Sequence, residues 1–243
     1  MGKATGLRTS HHIRGRAASR FFKAAKHSEG LAQPMNLFVT LNLAHTACPP
    51  GLVSQAVGDI CAKFGRWLRH QSKKAMRDGR PGYGPPTYEA VLEAPGGIHH
   101  VHWLVYVPSG LEKLFKATLP KWVKKTAGEI LIVAGAIHIK PIDKVMGLSR
   151  YCMKGVERGH ARRCHVRPSD QGVILGRRVL ISRSLGPTAR RKAVAQAAAA
   201  PSPVMGKPCA PGSTSRTDSS AALGPRSAWL PPTVGGSSPS PPF

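Results

Sequence analysis

Three histidines interrupt one apolar stretch of the chain. The stretch GIHHVHWLVYVP contains His99, His100 and His102 and otherwise has the composition of a buried β-strand. Because alternate side chains of a strand point to the same face, His100 and His102 share a face and His99 points away from them. Two imidazoles on one face are suited to binding a divalent metal ion. The alternative is that the histidines lie on an exposed sheet face and bind nothing.

The preceding strand can place a carboxylate beside these histidines. The segment TYEAVLE is predicted to pair with the histidine strand through a hairpin at residues 95–97. A tight turn there puts Glu93 opposite His100, whereas a four-residue loop puts Glu89 opposite His102. Both registers keep the two glutamates on the histidine face, and an odd loop length would turn them away. Two imidazoles and one carboxylate favour Mg²⁺ or Mn²⁺.

A tyrosine and two cations lie close together on a predicted later helix. Tyr151 and Lys154 are three residues apart and therefore share one helix face, with Arg150 beside them. Nearby cations make a phenol easier to ionise, which would make Tyr151 a nucleophile toward phosphorus. The alternative is a packed ring next to a solvated charge.

Three motifs follow one another along the chain. They are FVTLN at residues 38–42, His100-Val101-His102, and YCMK at residues 151–154. In this order the chain resembles the HUH endonucleases, the family that includes relaxases and the single-tyrosine initiators of rolling-circle replication. The resemblance extends over roughly residues 36–185. It is strongest to the replication initiators of bacterial plasmids and filamentous phages.

The resemblance implies a metal site on the histidine strand. His100 and His102 would hold the metal ion, Mg²⁺ or Mn²⁺, with Glu93 as the third ligand. One departure from the family pattern is the additional His99, which a register shift could put in place of His100.

The resemblance also implies roles for the tyrosine motif and for DNA contacts. Tyr151 would attack the scissile phosphate, and Lys154 would position the tyrosine or balance its charge. Thr40, Asn42 and Arg150 are the candidate DNA-binding residues. No second tyrosine lies near Tyr151, which excludes the two-tyrosine class.

The implied activity is site-specific nicking and rejoining of single-stranded DNA through a 5′-phosphotyrosine. This reaction would initiate rolling-circle replication of a plasmid or phage in the cytoplasm of a bacterial host. The expected partners are single-stranded DNA at a replication origin and a host polymerase. A host helicase is also expected, because no GxxxxGK[ST] nucleotide-binding segment occurs in the chain.

The charge of the chain agrees with a nucleic-acid partner. The sequence has 36 Lys and Arg against 11 Asp and Glu, a formal net charge of +25. No apolar run is long enough for a spanning helix, so no membrane partner is expected.

Two alternatives to the nicking activity remain open: a non-enzymatic nucleic-acid-binding protein on an RRM-like sheet, and an HUH-type transposase. A zinc cluster of Cys152, His160, Cys164 and His165 is a minor option, because its spacing matches no common zinc module.

The expected fold is α+β. Residues 35–185 show the order β-α-β-β-α-β-α, which predicts an antiparallel sheet with helices packed on one face, an HUH/RRM-like palm. Residues 1–34 are predicted to be a disordered basic arm, with some helix around Phe21 and Phe22. Residues 186–243 are predicted to be a disordered, Pro/Ser-rich tail.

Overall fold

The computed structural model describes residues 8–31 and 33–199. The strands and helices, in chain order, are β1 (Thr9–Ser10), α1 (Gly15–Glu29), β2 (Leu37–Asn42), α2 (Val53–Arg77), β3 (Tyr88–Glu93), β4 (His100–Val105), α3 (Glu112–Ala127), β5 (Ile137–Pro141), α4 (Val145–Cys152), α5 (Arg158–Ala161), β6 (Ile174–Leu175), β7 (Val179–Ile181) and α6 (Pro187–Ala199).

Five strands form one antiparallel sheet in the order β5-β2-β4-β3-β7. Along β2, buried and half-buried side chains alternate, as the LFVTLN pattern predicts. Its buried residues Leu37, Val39 and Leu41 share one hydrophobic cluster with residues of α2 and α3. The predicted α+β fold with an antiparallel sheet and packed helices is confirmed.

Helix α2 follows from the spacing of its apolar residues. Val57, Ile60, Phe64 and Leu68 recur every three or four positions, so they line one face of the helix. That face is buried against the sheet, and Phe64 packs edge-on against Trp103 of β4 with ring centroids 5.5 Å apart. This layer buries the sheet face opposite to His100 and His102.

The other face of the sheet is covered in part by α1 and α4. Phe21, Ala24 and Ala25 of α1 are fully buried, in one cluster with Val91 of β3 and Leu104 of β4. The prediction that residues 1–34 are a disordered basic arm is therefore wrong for α1, although the helix expected around Phe21 is present. The basic residues of α1 are exposed on one side of the helix, and its small apolar residues and Phe21 pack on the other side.

The N-terminus of α1 is held in place by a distant part of the chain. The backbone N–H of Gly15 donates to Glu157 Oε1 at 2.7 Å. A Cβ atom at Gly15 would lie 2.0 Å from the His160 ring, so only glycine allows this close approach. These contacts join α1 to the segment that follows α4.

The C-terminal boundary also differs from the sequence expectation. Residues 187–199, assigned to the disordered tail, form helix α6. The rest of the predicted tail, residues 200–243, lies outside the described residues, as do residues 1–7 of the predicted arm. Within the part of the chain that is described, no helix has the length and apolar character needed to cross a membrane.

Candidate active site

A cleft of about 530 Å³ lies on the sheet face that carries α4. It is lined by Phe38, Thr40, Glu93, Pro95, His100, His102, His138, Lys140, Leu148, Tyr151 and Lys154. These residues come from β2, β3, the turn between β3 and β4, β4, β5, α4 and the turn after α4. All three sequence motifs therefore contribute side chains to one cleft.

The hairpin register decides which histidine and which glutamate enter the cleft. Glu93 pairs with His100 across β3 and β4, as the tight-turn alternative predicted, and Val91 pairs with His102. Because directly paired residues share a sheet face, Glu93, His100 and His102 all point to the α4 side. His99 precedes β4 and does not line the cleft, so it does not replace His100.

Glu93 and His102 are in direct contact inside the cleft. Glu93 Oε2 lies 3.3 Å from His102 Nε2, and the two side chains are 2% and 8% exposed. On the other side of the imidazole, Thr40 Oγ1 lies 3.3 Å from His102 Nδ1, within hydrogen-bonding distance. The His102 ring is thus held from both nitrogens, which fixes its orientation.

Tyr151 lies over the histidine strand. Its ring centroid is 5.2 Å from that of His102 and 6.4 Å from that of Phe38, in both cases edge to face. Phe38 in turn stacks on His102 with centroids 5.4 Å apart. Tyr151 is 48% exposed, so the ring is anchored on one side and open to a ligand on the other.

Lys154 connects the tyrosine to the glutamate. Its Nζ lies 3.1 Å from Glu93 Oε2 and 4.2 Å from the centre of the Tyr151 ring. Burial alone would lower the pKa of the amine, but the Glu93 carboxylate and Tyr151 hold it above its ordinary value. Lys154 is therefore charged at neutral pH and places a positive charge beside the phenol.

The cleft contains imidazole nitrogens and carboxylate oxygens, which are atom types that divalent cations bind. Glu93 Oε1 is buried and has no hydrogen-bond partner within the described chain. Burial and the neighbouring His102 keep the pKa of His100 below its ordinary value, so its ring is neutral, as a metal ligand must be. Across residues 8–31 and 33–199, however, no three His, Cys, Asp or Glu side chains are already arranged to hold a metal ion.

The three predicted DNA-binding residues lie in different places. Thr40 lines the cleft, as described above. Asn42 is paired with His100 across β2 and β4, and its Oδ1 is buried without a partner in the described chain. Arg150 does not line the cleft, because it lies on another side of α4, in a groove next to α1.

Two residues of the cleft were not among the site residues predicted from the sequence. His138 of β5 pairs with Thr40 of β2, and Lys140 pairs with Phe38, so both point into the cleft. The alternating segment IHIKP indicates that His138 and Lys140 share one strand face. It does not indicate that β5 lies beside β2, and only that pairing brings the two residues to the site.

The minor zinc option finds no support in the described residues. Cys152, the last residue of α4, is fully buried in the core, and His160 Nδ1 lies 2.7 Å from Glu157 Oε1. Burial also raises the pKa of the Cys152 thiol, which disfavours the thiolate form that zinc requires.

A second carboxyl group lies deeper on the same sheet face. Glu89 of β3 is 0% exposed, and neither of its oxygens has a hydrogen-bond partner in the described chain. Burial raises the pKa of this carboxyl well above its ordinary value of 4.5, and the charge of Arg190 lowers it only in part. The folded protein must therefore bind a proton here at pH values where the unfolded chain has lost it.

We expect Glu89→Gln to stabilise the protein as the pH rises above the ordinary carboxyl pKa of 4.5. The unfolding free energy of the wild type should fall relative to the variant by about 1.4 kcal/mol per pH unit, until the folded-state pKa is passed. Below pH 4.5 the two proteins should differ little, because both side chains are then neutral in both states. Urea unfolding at several pH values measures this, and a difference independent of pH would contradict it.

Comparison with protein-family models, with curated proteins and with solved structures gives no match to this chain.

Proposed function

We propose that this chain nicks and rejoins single-stranded DNA through a 5′-phosphotyrosine on Tyr151, in the manner of a single-tyrosine HUH initiator of rolling-circle replication. The observation that carries the proposal is the contact between Tyr151 and His102, whose ring centres are 5.2 Å apart. The two residues come from motifs separated by almost fifty positions and meet at one open cleft.

Tyr151 supplies the nucleophile. Its oxygen forms a bond to the scissile phosphorus while the bond from phosphorus to the 3′-oxygen breaks. The phenolic proton is lost and the departing 3′-oxygen gains one, so the exchange is balanced. One phosphodiester replaces another, which conserves the bond energy for rejoining. No nucleotide is consumed, in agreement with the missing nucleotide-binding segment.

Positive charge in the cleft would stabilise the phosphate during this exchange. Lys154 lies next to the Tyr151 ring and the Glu93 carboxylate, and Lys140 extends from β5 into the same cleft. Preorganised charges of this kind act without rearrangement at the moment of reaction.

His100, His102 and Glu93 are the residues that would hold a divalent ion. A bound Mg²⁺ or Mn²⁺ would add charge stabilisation and orientation at the scissile phosphate. Thr40 would act as a positioning residue, because it holds the second nitrogen of the His102 ring. Phe38 supports the same ring from one face by stacking.

The proposal is tested by capture of the covalent adduct. Full-length protein is incubated with a pool of random single-stranded DNA and Mn²⁺ or Mg²⁺, and the products are separated under denaturing conditions. DNA labelled at its 3′ end should yield labelled protein, because the tyrosine retains the downstream fragment. DNA labelled at its 5′ end should yield a free fragment with a 3′-OH that a polymerase extends.

Metal removal is the first control. Chelation with EDTA should reduce adduct formation by at least about 100-fold, the scale on which one electrostatic stabiliser affects a rate. DNA binding without an adduct at any metal concentration would contradict the proposal. It would instead favour the non-enzymatic binding protein on an RRM-like sheet.

Sequencing of captured fragments would distinguish an origin-like target from the ends of a transposable element.

A further inference from the structure

A second concave surface lies at the opposite edge of the sheet, between α1, β7 and the start of α6. It has a volume of about 570 Å³, and six arginines contribute to its lining: Arg8, Arg14, Arg16, Arg20, Arg183 and Arg190. We refer to this surface as the arginine groove. The first four residues and the last two are more than 160 positions apart, so the fold and not a local charge run brings them together.

These arginines form no direct ion pair in the described chain. No Asp or Glu lines the groove, and none of its six guanidinium groups lies within ion-pair distance of a described carboxylate. All of them except Arg190 are exposed. Because arginine stays charged at any physiological pH, the groove concentrates positive charge that attracts an anion.

The chain itself cannot supply that anion. Outside residues 8–31 and 33–199, the sequence contains a single acidic residue, Asp218. No acidic segment of the given sequence is therefore available to cover six arginines. The charge of the groove favours a separate polyanion.

The groove is continuous with other basic surface along α1. On the opposite side of that helix lies a second groove of about 630 Å³, lined in part by Arg16, Lys23, Arg150 and Arg163. Arg16 lines both grooves. Arg150 is the residue before Tyr151 on α4, so basic side chains extend from the tyrosine helix across α1 to the arginine groove.

We propose that the arginine groove binds the phosphodiester backbone of DNA that flanks the segment held in the cleft. The planar guanidinium group matches a phosphate with two parallel hydrogen bonds, and a row of arginines matches successive phosphates. Contacts of this kind hold and orient a strand without reading its bases. The proposal rests on the proposed function for the identity of the polymer as DNA.

The test is DNA binding without chemistry. Fluorescence anisotropy is measured for the full-length Tyr151→Phe protein in EDTA, with labelled single-stranded and duplex oligonucleotides over a series of salt concentrations. The groove variant carries Arg20→Gln and Arg183→Gln. The matched control carries Arg66→Gln and Arg69→Gln on the exposed side of α2, which lies on the other face of the sheet. Both variants lose the same net charge.

We expect the groove variant to bind at least one of the two DNA forms about ten-fold more weakly at low salt. The slope of log affinity against log salt concentration should become shallower by about 1.4 for single strands or about 1.8 for duplex, the value for two lost phosphate contacts. The control pair should change affinity by less than about three-fold. Equal losses in both pairs, or no loss in the groove pair, would overturn the proposal.

A second groove variant distinguishes the effect of lost charge from the effect of a disturbed fold. Arg20→Lys with Arg183→Lys keeps both charges, so its salt slope should match that of the parent protein. A Lys pair whose salt slope is as shallow as that of the Gln pair would show that the side chains support structure and would overturn the proposal. If wild-type protein forms no adduct but binding depends on the groove, only the proposed nicking function fails.

Discussion

Tyr151→Phe should abolish the covalent adduct with single-stranded DNA. The phenyl ring can keep the edge-to-face contacts with His102 and Phe38 and the contact with Lys154, so the cleft should remain folded. Only the nucleophilic oxygen is lost. Adduct yield should fall by about 10⁴-fold or more, the scale on which loss of a nucleophile affects covalent catalysis. Gel quantitation with 3′-labelled DNA measures it.

A matched control uses another tyrosine of the same sheet. Tyr106 follows β4, is half-buried and does not line the cleft. Tyr106→Phe should therefore form the adduct at the wild-type rate, and both variants should bind DNA as the wild type does in EDTA. Adduct formation by Tyr151→Phe at the wild-type level would identify a different nucleophile and remove the basis of the proposed function.

Phe21→Ala should destabilise the whole domain by about 3–5 kcal/mol. Phe21 is fully buried between α1 and the sheet, in the cluster that also contains Val91 and Leu104. Truncation leaves a cavity in that layer, and the surrounding backbone can relax only in part. Urea unfolding followed by far-ultraviolet circular dichroism measures the change in unfolding free energy.

The neighbouring phenylalanine provides the comparison. Phe22 is only half-buried at the edge of the same cluster, so Phe22→Ala should cost less than half as much as Phe21→Ala. Equal small costs at both positions would mean that α1 is not part of the cooperative fold. The sequence prediction of a basic arm would then describe the protein in solution better than the helix does.

Much of the cleft could be predicted because it depends on local geometry. The alternation of a strand put His100 and His102 on one face, and a tight turn put Glu93 opposite His100. The three-residue spacing of Tyr151 and Lys154 likewise put both on one side, where Nζ lies 4.2 Å from the ring centre. Each of these relations involves residues that are close in sequence or joined by one hairpin.

Errors arose where the sequence pattern was weak. In α1, a narrow stripe of Phe21 and small alanines lies among many cations, and the charges dominated the interpretation. In α6, alanine-rich sequence gave no apolar stripe to distinguish a surface helix from a tail. Arg150, expected beside Tyr151 and Lys154, lies on another side of α4, because adjacent residues on a helix point in directions about 100° apart.

The sequence by itself determined the alternation of side chains along the strands, the amphipathic face of α2 and the predominance of positive charge. These properties depend on the two repeats of regular backbone, period 2 in strands and 3.6 in helices, and on composition. The tertiary structure alone decided that β5 lies beside β2, which adds His138 and Lys140 to the cleft. It alone decided that α4 lies over β4, so that Tyr151 meets His102, and that α1 and the segment after β7 form one arginine groove. These contacts join residues from 49 to more than 160 positions apart, and they depend on how the complete core packs and not on any local repeat.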